Sequence, residues 1–298
     1  MSGADKHHPV FSHFRPFVGE IPEGFEVDFI GSKKRLEFWR GREVRLGYPP
    51  VDQMYFEWIA VLEAVVEARD RFEMIELGSG WGEWSVRAAM AVRQLSAMPV
   101  HLTAVEADPI HFEWVQLHFL DNGIDPAAHT LIRAAVCGNS EARPFLVGSP
   151  HGNDAPHEWY GQALATWAGA VVEEHAGFHG GFPVRLHESG WRSIETARIT
   201  LREILKDRTR VDLIHMDAQG VEYEVLAAAI DEVDSMVKRT CIATHSREID
   251  GELKRLLGGH GWECAMAYPC EDASETAWGR VEFVDGLQVW TNPRLMGP

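Results

Sequence analysis

The stretch that decides the fold is Phe72-Glu-Met-Ile-Glu-Leu-Gly-Ser-Gly-Trp-Gly-Glu-Trp84. It begins with a short apolar run, continues through glycines at alternate positions, Gly78, Gly80 and Gly82, and leads into a helical pattern over residues 84–94. Glycine suits such a turn because positive φ angles cost it little and because a ligand can approach its bare backbone. The pattern predicts a first β-strand, a tight turn and a helix whose N-terminus faces a ligand.

An acid, Glu76, lies inside the apolar run, two residues before the first glycine. A carboxylate there suits a ligand that carries positive charge, and S-adenosylmethionine, with its ammonium and sulfonium groups, is such a ligand. A dinucleotide-binding fingerprint would instead require glycine at the position that Glu83 occupies. The simpler alternative is that the glycines only serve a tight turn between strand and helix.

A second acid, Glu106, ends the apolar run His101-Leu-Thr-Ala-Val-Glu106, which reads as the second buried strand. In nucleotide-binding α/β folds, a carboxylate at this place accepts hydrogen bonds from ribose hydroxyls. Asp108-Pro109 then opens another helix, because proline at the first helical position loses no hydrogen bond. The alternative is that Glu106 and Asp108 only cap that helix.

A third acid, Asp217, follows the apolar strand predicted at residues 211–216, and Gly220 precedes a helical pattern over residues 221–230. Ligands of open α/β sheets bind outside the carboxyl ends of the strands. We therefore expect Glu76, Glu106, Asp217 and the next strand end, Thr244-His245, to line one crevice.

These residues resemble the FkbM family of S-adenosylmethionine-dependent methyltransferases. Glu76-Leu-Gly-Ser-Gly-Trp-Gly82 is similar to the first motif of that family, and Ile214-His-Met-Asp-Ala-Gln-Gly-Val-Glu-Tyr-Glu-Val-Leu226 resembles its most distinctive one. Thr200-Leu201 with Ile204-Leu205 resembles the segment before that strand, although Arg202 stands where the family usually has Asp. The resemblance covers roughly residues 55–292 and implies the Rossmann-like, doubly wound seven-stranded sheet of the class I methyltransferases.

The resemblance also implies roles for single residues. Glu76 and the glycine loop would hold the methionine end of the cofactor, Glu106 would bind the ribose, and Asp217 would lie beside the transferred methyl group. The cofactor-binding residues expected from these motifs are Glu76, Gly78, Ser79, Gly80, Gly82, Glu106, Ala107 and Asp217.

The chain divides into a proline-rich N-terminal extension at residues 1–50 and a methyltransferase domain at residues 51–298. The extension could hold a small hairpin formed by residues 25–30 and 36–39. A stretch at residues 148–182, rich in glycine, histidine and aromatics, predicts an inserted loop or lid. The remaining predicted elements are a helix at 53–69 capped by Asp52, strands at 130–136, 239–244, 262–267 and 286–290, and a helix at 248–258, with the last strand antiparallel, as in the class I methyltransferases.

Composition limits the partners. The net charge is −17, from 28 Lys and Arg against 45 Asp and Glu, which argues against a nucleic-acid backbone or an anionic membrane surface as partner. The basic run Lys33-Lys-Arg35 could hold an acidic or sugar-phosphate substrate, or could be a solvated edge. With no signal peptide, no long apolar run and four cysteines without a Cys-x-x-Cys pair, we expect a cytoplasmic protein.

Two residues are candidates for the base that an oxygen nucleophile needs. Asp217 could instead bind the ammonium group or cap a helix, and His245 could instead be a capping residue. His215 is expected to be a core histidine. In the inserted lid, Trp159, Tyr160 and Gln162 could contact a sugar ring, and the alternative is a hydrophobic plug.

The expected function is O-methylation of a hydroxyl on a sugar or polyketide-like small molecule, with Trp159, Tyr160, Gln162 and His245 as candidate substrate contacts and S-adenosylmethionine as cofactor. No metal is expected, although His175-x3-His179 has ligand spacing if helical. The rival classes are an NAD-type oxidoreductase and a non-catalytic nucleotide-binding module. Assembly into a homo-oligomer stays open.

Overall fold

The computed structural model describes residues 7–38, 47–139, 144–148 and 168–296. Its α-helices are α1 (Gln53–Glu67), α2 (Glu83–Leu95), α3 (Pro109–Asp121), α4 (Leu201–Leu205), α5 (Glu222–Ala228), α6 (Ile230–Met236) and α7 (Arg247–Gly259). None of the helices within these described ranges is long and apolar enough to cross a membrane.

The strands are short outside the central sheet. In chain order they are β1 (Phe25–Val27), β2 (Lys33–Arg35), β3 (Phe72–Leu77), β4 (Val100–Glu106), β5 (Thr130–Arg133), β6 (Ala135–Cys137), β7 (Phe145–Val147), β8 (Val171–Glu173), β9 (Phe178–His179), β10 (Phe182–Pro183), β11 (Arg185–His187), β12 (Arg192–Ile194), β13 (Arg198–Thr200), β14 (Leu213–Met216), β15 (Arg239–Thr244), β16 (Glu263–Tyr268), β17 (Asp272–Thr276), β18 (Gly279–Phe283) and β19 (Gly286–Thr291).

The central sheet has seven strands in the order β16-β19-β15-β14-β3-β4-β5. The strands from β15 to β5 are parallel to one another, and β19 runs antiparallel to both of its neighbours. This order confirms the predicted Rossmann-like sheet and its antiparallel last strand. The strand order reverses between β3 and β14, and ligands of such sheets bind at that point, beyond the carboxyl ends of the strands.

Helices cover both faces of the sheet, so the central strands are apolar on both sides. Along β3, Met74 belongs to the core beneath α1 and α2, whereas Ile75 belongs to the core beneath α5 and α7. This alternation follows from the two-residue period of a strand. Glu76 lies two residues after Met74, so its side chain points to the same face of the sheet, toward α2.

Two predicted elements are divided in the structure. The strand expected at residues 130–136 breaks at Ala134, whose N–H donates to the Glu106 carbonyl oxygen at 3.0 Å; β6 then leaves the central sheet and pairs with β13. The helix expected at residues 221–230 is interrupted at Ala229, which has the non-helical angles φ −128° and ψ 21°. Ala229 is the C-cap of α5 and also the N-cap of α6. The break at Ala134 therefore depends on a contact with the end of β4, which the local sequence does not specify.

The N-terminal extension packs against α1 as part of the same core. Phe11, Phe14 and Phe29 are almost fully buried, and the rings of Phe11 and Tyr55 stack with centroids 5.0 Å apart. A hairpin forms, but its second strand is β2 rather than residues 36–39. The Asp28 carboxylate fixes this register, because it accepts from the Ile30 and Ser32 N–H groups in the intervening turn.

The inserted segment forms a small antiparallel sheet in the order β7-β12-β11-β8, with the β9–β10 hairpin beside it. This sheet begins before the predicted residues 148–182 and continues past them to β12. The strands of this sheet and hairpin have only two or three residues each, and β8 is exposed. They therefore carry almost no hydrophobic periodicity by which the sequence could reveal them.

Candidate active site

The glycine loop brings β3 within contact of β14. A Cβ atom on Gly78 would lie 1.8 Å from the carbonyl oxygen of Asp217, and the residue has a φ of +73°. The N–H groups of Gly78 and Ser79 both donate to the Val105 carbonyl oxygen at 3.0 Å, which ties the loop to β4. The close approach requires glycine, because any side chain would push the two strands apart.

Glu76 caps the helix that follows the loop. Its Oε1 accepts from the Trp84 N–H at 3.1 Å, and its Oε2 accepts from the Ser85 N–H at 2.9 Å. The first turn of a helix has no internal acceptors for these donors, so the buried carboxylate stabilises α2. Burial raises the pKa of this carboxyl group, and the nearby His215 opposes the rise. Contact between Glu76 and a ligand ammonium group stays a prediction.

Glu106 links the end of β4 to the glycine loop. Its Oε2 accepts from the Gly80 N–H at 2.7 Å, and its Oε1 accepts from the Asp108 N–H at 2.8 Å. Burial raises the pKa of Glu106 to about 8. The capping of α3 belongs to Asp108, whose carboxylate accepts from the Ile110 N–H at 2.8 Å. Glu106 is therefore not needed as the helix cap.

Beyond β14 and β15, three side chains form one ionic cluster. The Nε2 atom of His245 lies 3.3 Å from Oδ1 of Asp217, and its Nδ1 lies 2.9 Å from Oε1 of Glu222. Glu222 is fully buried and also accepts from the N–H groups of Ala218 and Gly220, so it fixes the loop after β14. Asp217 keeps 38% of its side chain exposed and is the member that faces the crevice.

One crevice collects the predicted cofactor residues. It is lined by Glu76, Gly78, Ser79, Gly80, Glu106, Ala107 and Asp217, together with Trp84, His111, Phe145, His215 and Gln219. Gly82 does not line it and instead forms the N-cap of α2 with a φ of 74°. His245 reaches the crevice only through Asp217.

Comparison with known proteins decides the family. The model of the methyltransferase FkbM domain matches residues 82–255, which is more than half of the chain. The chain belongs to the FkbM methyltransferase family. A protein of Jannaschia sp. (strain CCS1), provisionally named a methyltransferase, is 26% identical over 242 residues, covering 81% of this chain and 80% of that protein.

Two solved structures align with most of the chain at low sequence identity. The METTL16 methyltransferase domain aligns with a TM-score of 0.43 at 10% identity, covering 96% of this chain and 89% of its own. TrmK of M. capricolum, solved with S-adenosyl-homocysteine, aligns with a TM-score of 0.40 at 6% identity, covering 78% and 67% of the two chains.

The structure of this FkbM methyltransferase also assigns residues that the sequence singled out for other reasons. His215, expected in the core, is buried and pairs through Nε2 with Oε2 of Glu57 at 2.8 Å, while also lining the crevice. Arg202, at the position where the family usually has Asp, donates to the Ala228 carbonyl oxygen and pairs with Glu232. Arg202 therefore holds α4 against the α5–α6 region, away from the crevice.

The basic run Lys33-Lys-Arg35 is used in local ion pairs. The Lys34 ammonium lies 3.0 Å from Oε2 of Glu26, and Arg35 binds Asp121 through two nitrogens. Lys34 is only 8% exposed, so the interpretation of a solvated edge is wrong for this residue.

Three residues of the site were not predicted from the sequence. Glu57 lies far from β14 in the chain, and Asp285 follows a hairpin, β17–β18, that was not predicted; its Oδ1 lies 3.6 Å from Nε2 of His245. Glu222 had a usable signal, because an acid directly after a glycine-containing turn at a helix start commonly accepts from backbone N–H groups.

The β9–β10 hairpin of the inserted segment packs against the start of α3. His179 Nε2 lies 2.6 Å from Oδ2 of Asp108, and a Cβ on Gly180 would lie 2.4 Å from Cγ of Pro109. His187 contacts the Gly169 carbonyl oxygen and the Ser193 hydroxyl. Both histidine rings are therefore engaged in local contacts, and among the described residues no group of three or more His, Cys, Asp or Glu is placed to hold a metal. Trp159, Tyr160 and Gln162, like His151 and His157, lie outside the described residues.

His245 is expected to be an imidazolium ion at neutral pH. Burial lowers the pKa of His245, but hydrogen bonds to Asp217 and Glu222 outweigh it and raise the pKa to about 11. The pKa of His245 is higher in the folded than in the unfolded protein. Its ion pairs with Asp217 and Glu222 therefore stabilise the fold fully below pH 6.5, and this stabilisation is lost as the pH rises through about 11. Histidine ring NMR should show a charged ring up to at least about pH 9. A ring that titrates near its ordinary value would contradict this charge state.

Proposed function

We propose that this FkbM methyltransferase transfers a methyl group from S-adenosylmethionine to a hydroxyl of a sugar or similar small molecule. The observation that carries the proposal is the crevice itself, where Glu76, the glycine loop, Glu106 and Asp217 meet at the switch point of the sheet. Family membership supports methyl transfer, and it weighs against the alternative of an NAD-type oxidoreductase.

The chemistry of the crevice residues fits this cofactor. Glu106 offers its carboxyl group to the hydroxyls of a ribose diol, Asp217 offers negative charge beside a sulfonium, and the buried Ser79 hydroxyl has no partner among the described groups. The enclosed volume is about 110 Å³, whereas ligand sites usually measure ~300–1,000 Å³. We expect the glycine loop to open when the cofactor binds, because the Gly80 N–H occupies one of the Glu106 oxygens that we assign to the ribose diol.

The bound cofactor would supply an electrophilic methyl group, and the protein would position the acceptor for in-line attack. Hydrogen bonding by His245 lowers the pKa of Asp217 against the opposing effect of burial, so Asp217 is an anion at neutral pH. We assign to Asp217 the hydrogen bond from the attacking hydroxyl. Because His245 already holds a proton, we assign to it the orientation and charge balance of Asp217 rather than the role of base.

The choice of acceptor rests on charge and on the family resemblance. A net charge of −17 opposes phosphate-rich nucleic acids and anionic membranes. Fold and cofactor do not fix the acceptor, so nitrogen and carbon acceptors are outcomes of the test. A screen of glycans and macrolides with mass detection of one added methyl group tests the proposal, and methylation found only on nitrogen or carbon would overturn the O-methyl assignment.

The choice of cofactor has its own test. Calorimetric titration of the purified protein with S-adenosylmethionine and, separately, with NAD should give heat of binding only for the first. Binding of NAD without binding of S-adenosylmethionine would overturn the proposed cofactor and with it the proposed reaction. Binding of S-adenosylmethionine without methylation of any acceptor in the screen would favour a non-catalytic binding module.

Glu106→Ala should weaken S-adenosylmethionine binding by about ten- to a hundredfold, which corresponds to ~1.5–3 kcal/mol for two hydrogen bonds of ~0.5–1.5 kcal/mol each. The physical reason is the loss of the carboxyl group that we assign to the ribose diol. Calorimetry measures the effect, and thermal unfolding must show that the variant is folded. Glu113→Ala, on the exposed face of α3, serves as the control. Equal affinity in wild type and Glu106→Ala would remove Glu106 from the cofactor site.

A further inference from the structure

A second, larger cavity lies between the N-terminal extension and the first turn of α1. It encloses about 690 Å³, which is within the usual ~300–1,000 Å³ of small-molecule sites. Its walls come from the β1–β2 hairpin, from residues 47–54, from α2 and from the end of β18. No motif identified in the sequence assigned a role to this space.

This cavity adjoins the crevice on two sides. Glu83 lines both spaces, and Trp58 of the cavity lies edge-on to Trp84 of the crevice, with centroids 5.4 Å apart. On the other side, Gln53 accepts from the Asp285 N–H at 3.3 Å, and the Asp285 carboxylate lies 3.6 Å from His245. The cavity therefore shares a wall with the crevice and, through Gln53 and Asp285, adjoins the ionic cluster that contains Asp217.

Three buried polar atoms in its wall have no hydrogen-bond partner among the described groups. They are Oε1 of Glu26, Nη1 of Arg87 and Nε2 of His118, and none of these residues is more than 7% exposed. An unpaired buried polar atom costs about 1–3 kcal/mol, so three in one wall favour a ligand that pairs with them. They offer both an acceptor, on Glu26, and a donor, on Arg87, to one cavity, and hydroxyl groups on a ring can pair with both kinds of atom.

The charge of the wall selects against anions. Among the described lining residues, five are acids (Glu26, Asp28, Asp52, Glu83 and Glu282) and two are cations. Both cations are already paired, Lys34 with Glu26, and Arg87 with Asp28 and Glu83. Burial lowers the pKa of His118 to about 4, so its ring is neutral and adds no positive charge. A phosphate or carboxylate in this cavity would meet net negative charge.

We infer that this cavity is the acceptor site and that it takes a hydroxyl-rich ring without an anionic group, such as a neutral or amino sugar. The inference rests on the proposed methyl transfer, because it assigns the acceptor of that reaction. The ring would enter between the N-terminal extension and α1 and present one hydroxyl toward Asp217.

Saturation-transfer NMR on the full chain with S-adenosyl-homocysteine tests the inference, using glucose, galactose, rhamnose, glucosamine and glucose 6-phosphate as probes. The neutral and amino sugars should give signals, and the phosphorylated sugar should give none. Met54→Trp fills the cavity from α1, and Val284→Trp narrows it from an exposed position that tolerates change. Each should reduce the signals about tenfold. Leu120→Trp, at an exposed position of α3, is the matched control.

The outcomes separate the two proposals. Calorimetry with S-adenosylmethionine accompanies every variant, and failure of the wild type to bind it overturns the proposed function. If the cofactor binds, three results overturn the acceptor site alone: signals that persist in both cavity variants, a stronger signal from glucose 6-phosphate, or no signal from any neutral or amino sugar.

Discussion

Asp217→Asn should lower turnover by about two to four orders of magnitude, the usual range for loss of a group that handles the proton in the transition state. The substitution keeps the shape of the side chain and removes its charge. Oδ1 can still accept from the Gln219 amide, at 2.9 Å in the wild type, so the loop after β14 should keep its conformation. We therefore expect a folded protein with a specific defect in methyl transfer.

The measurement is single-turnover methylation of the acceptor found in the screen, with calorimetry of S-adenosylmethionine on the same preparation. The matched control is Asp231→Asn, which removes the same charge from an exposed position of α6 and should keep full activity. Full activity of Asp217→Asn with normal cofactor affinity would make Asp217 structural. Loss of both activity and cofactor binding would assign it to the cofactor instead.

The crevice was predictable because its signals are local in the chain. Glu76 and the glycines lie within one strand and one turn, and the parallel pairing of β3 with β14 then brings them to Asp217 without further information. The ends of β4 and β15 followed from apolar runs that finish in Glu106 and Thr244. Strands that helices cover on both faces read as continuous apolar runs, because both faces demand apolar side chains, and such runs can be recognised in the sequence.

The remainder of the site depends on contacts between distant residues. Glu57 reaches His215 across 158 positions in the chain, and no periodicity connects them. The β1–β2 hairpin forms part of the wall of the second cavity, and a short hairpin has little pattern from which its register, set here by Asp28, can be read. The charge state of His245 likewise requires two acids from different elements, so the sequence alone left the base undecided.

Gly78→Ala should cost about 3 kcal/mol or more of unfolding free energy and abolish measurable cofactor binding, since the strain of a positive φ adds to overpacking. The added Cβ would lie 1.8 Å from the Asp217 carbonyl oxygen, an atom of the backbone that cannot rotate away. Relief requires β3 and β14 to separate at the switch point, which moves Asp217 and the glycine loop together. Stability and binding should therefore fall in the same variant.

Gly123→Ala separates the two causes, because Gly123 has a similar φ of +65° but no atom within 4 Å of the added Cβ. It should lose only the ~1–2 kcal/mol of left-handed backbone strain and bind the cofactor normally. Urea unfolding measures the free energy of unfolding of each variant, and calorimetry of the folded variants with S-adenosylmethionine measures cofactor affinity. Similar losses in the two variants would mean that backbone strain alone accounts for Gly78, and that β3 and β14 can move apart at this point without damage to the crevice.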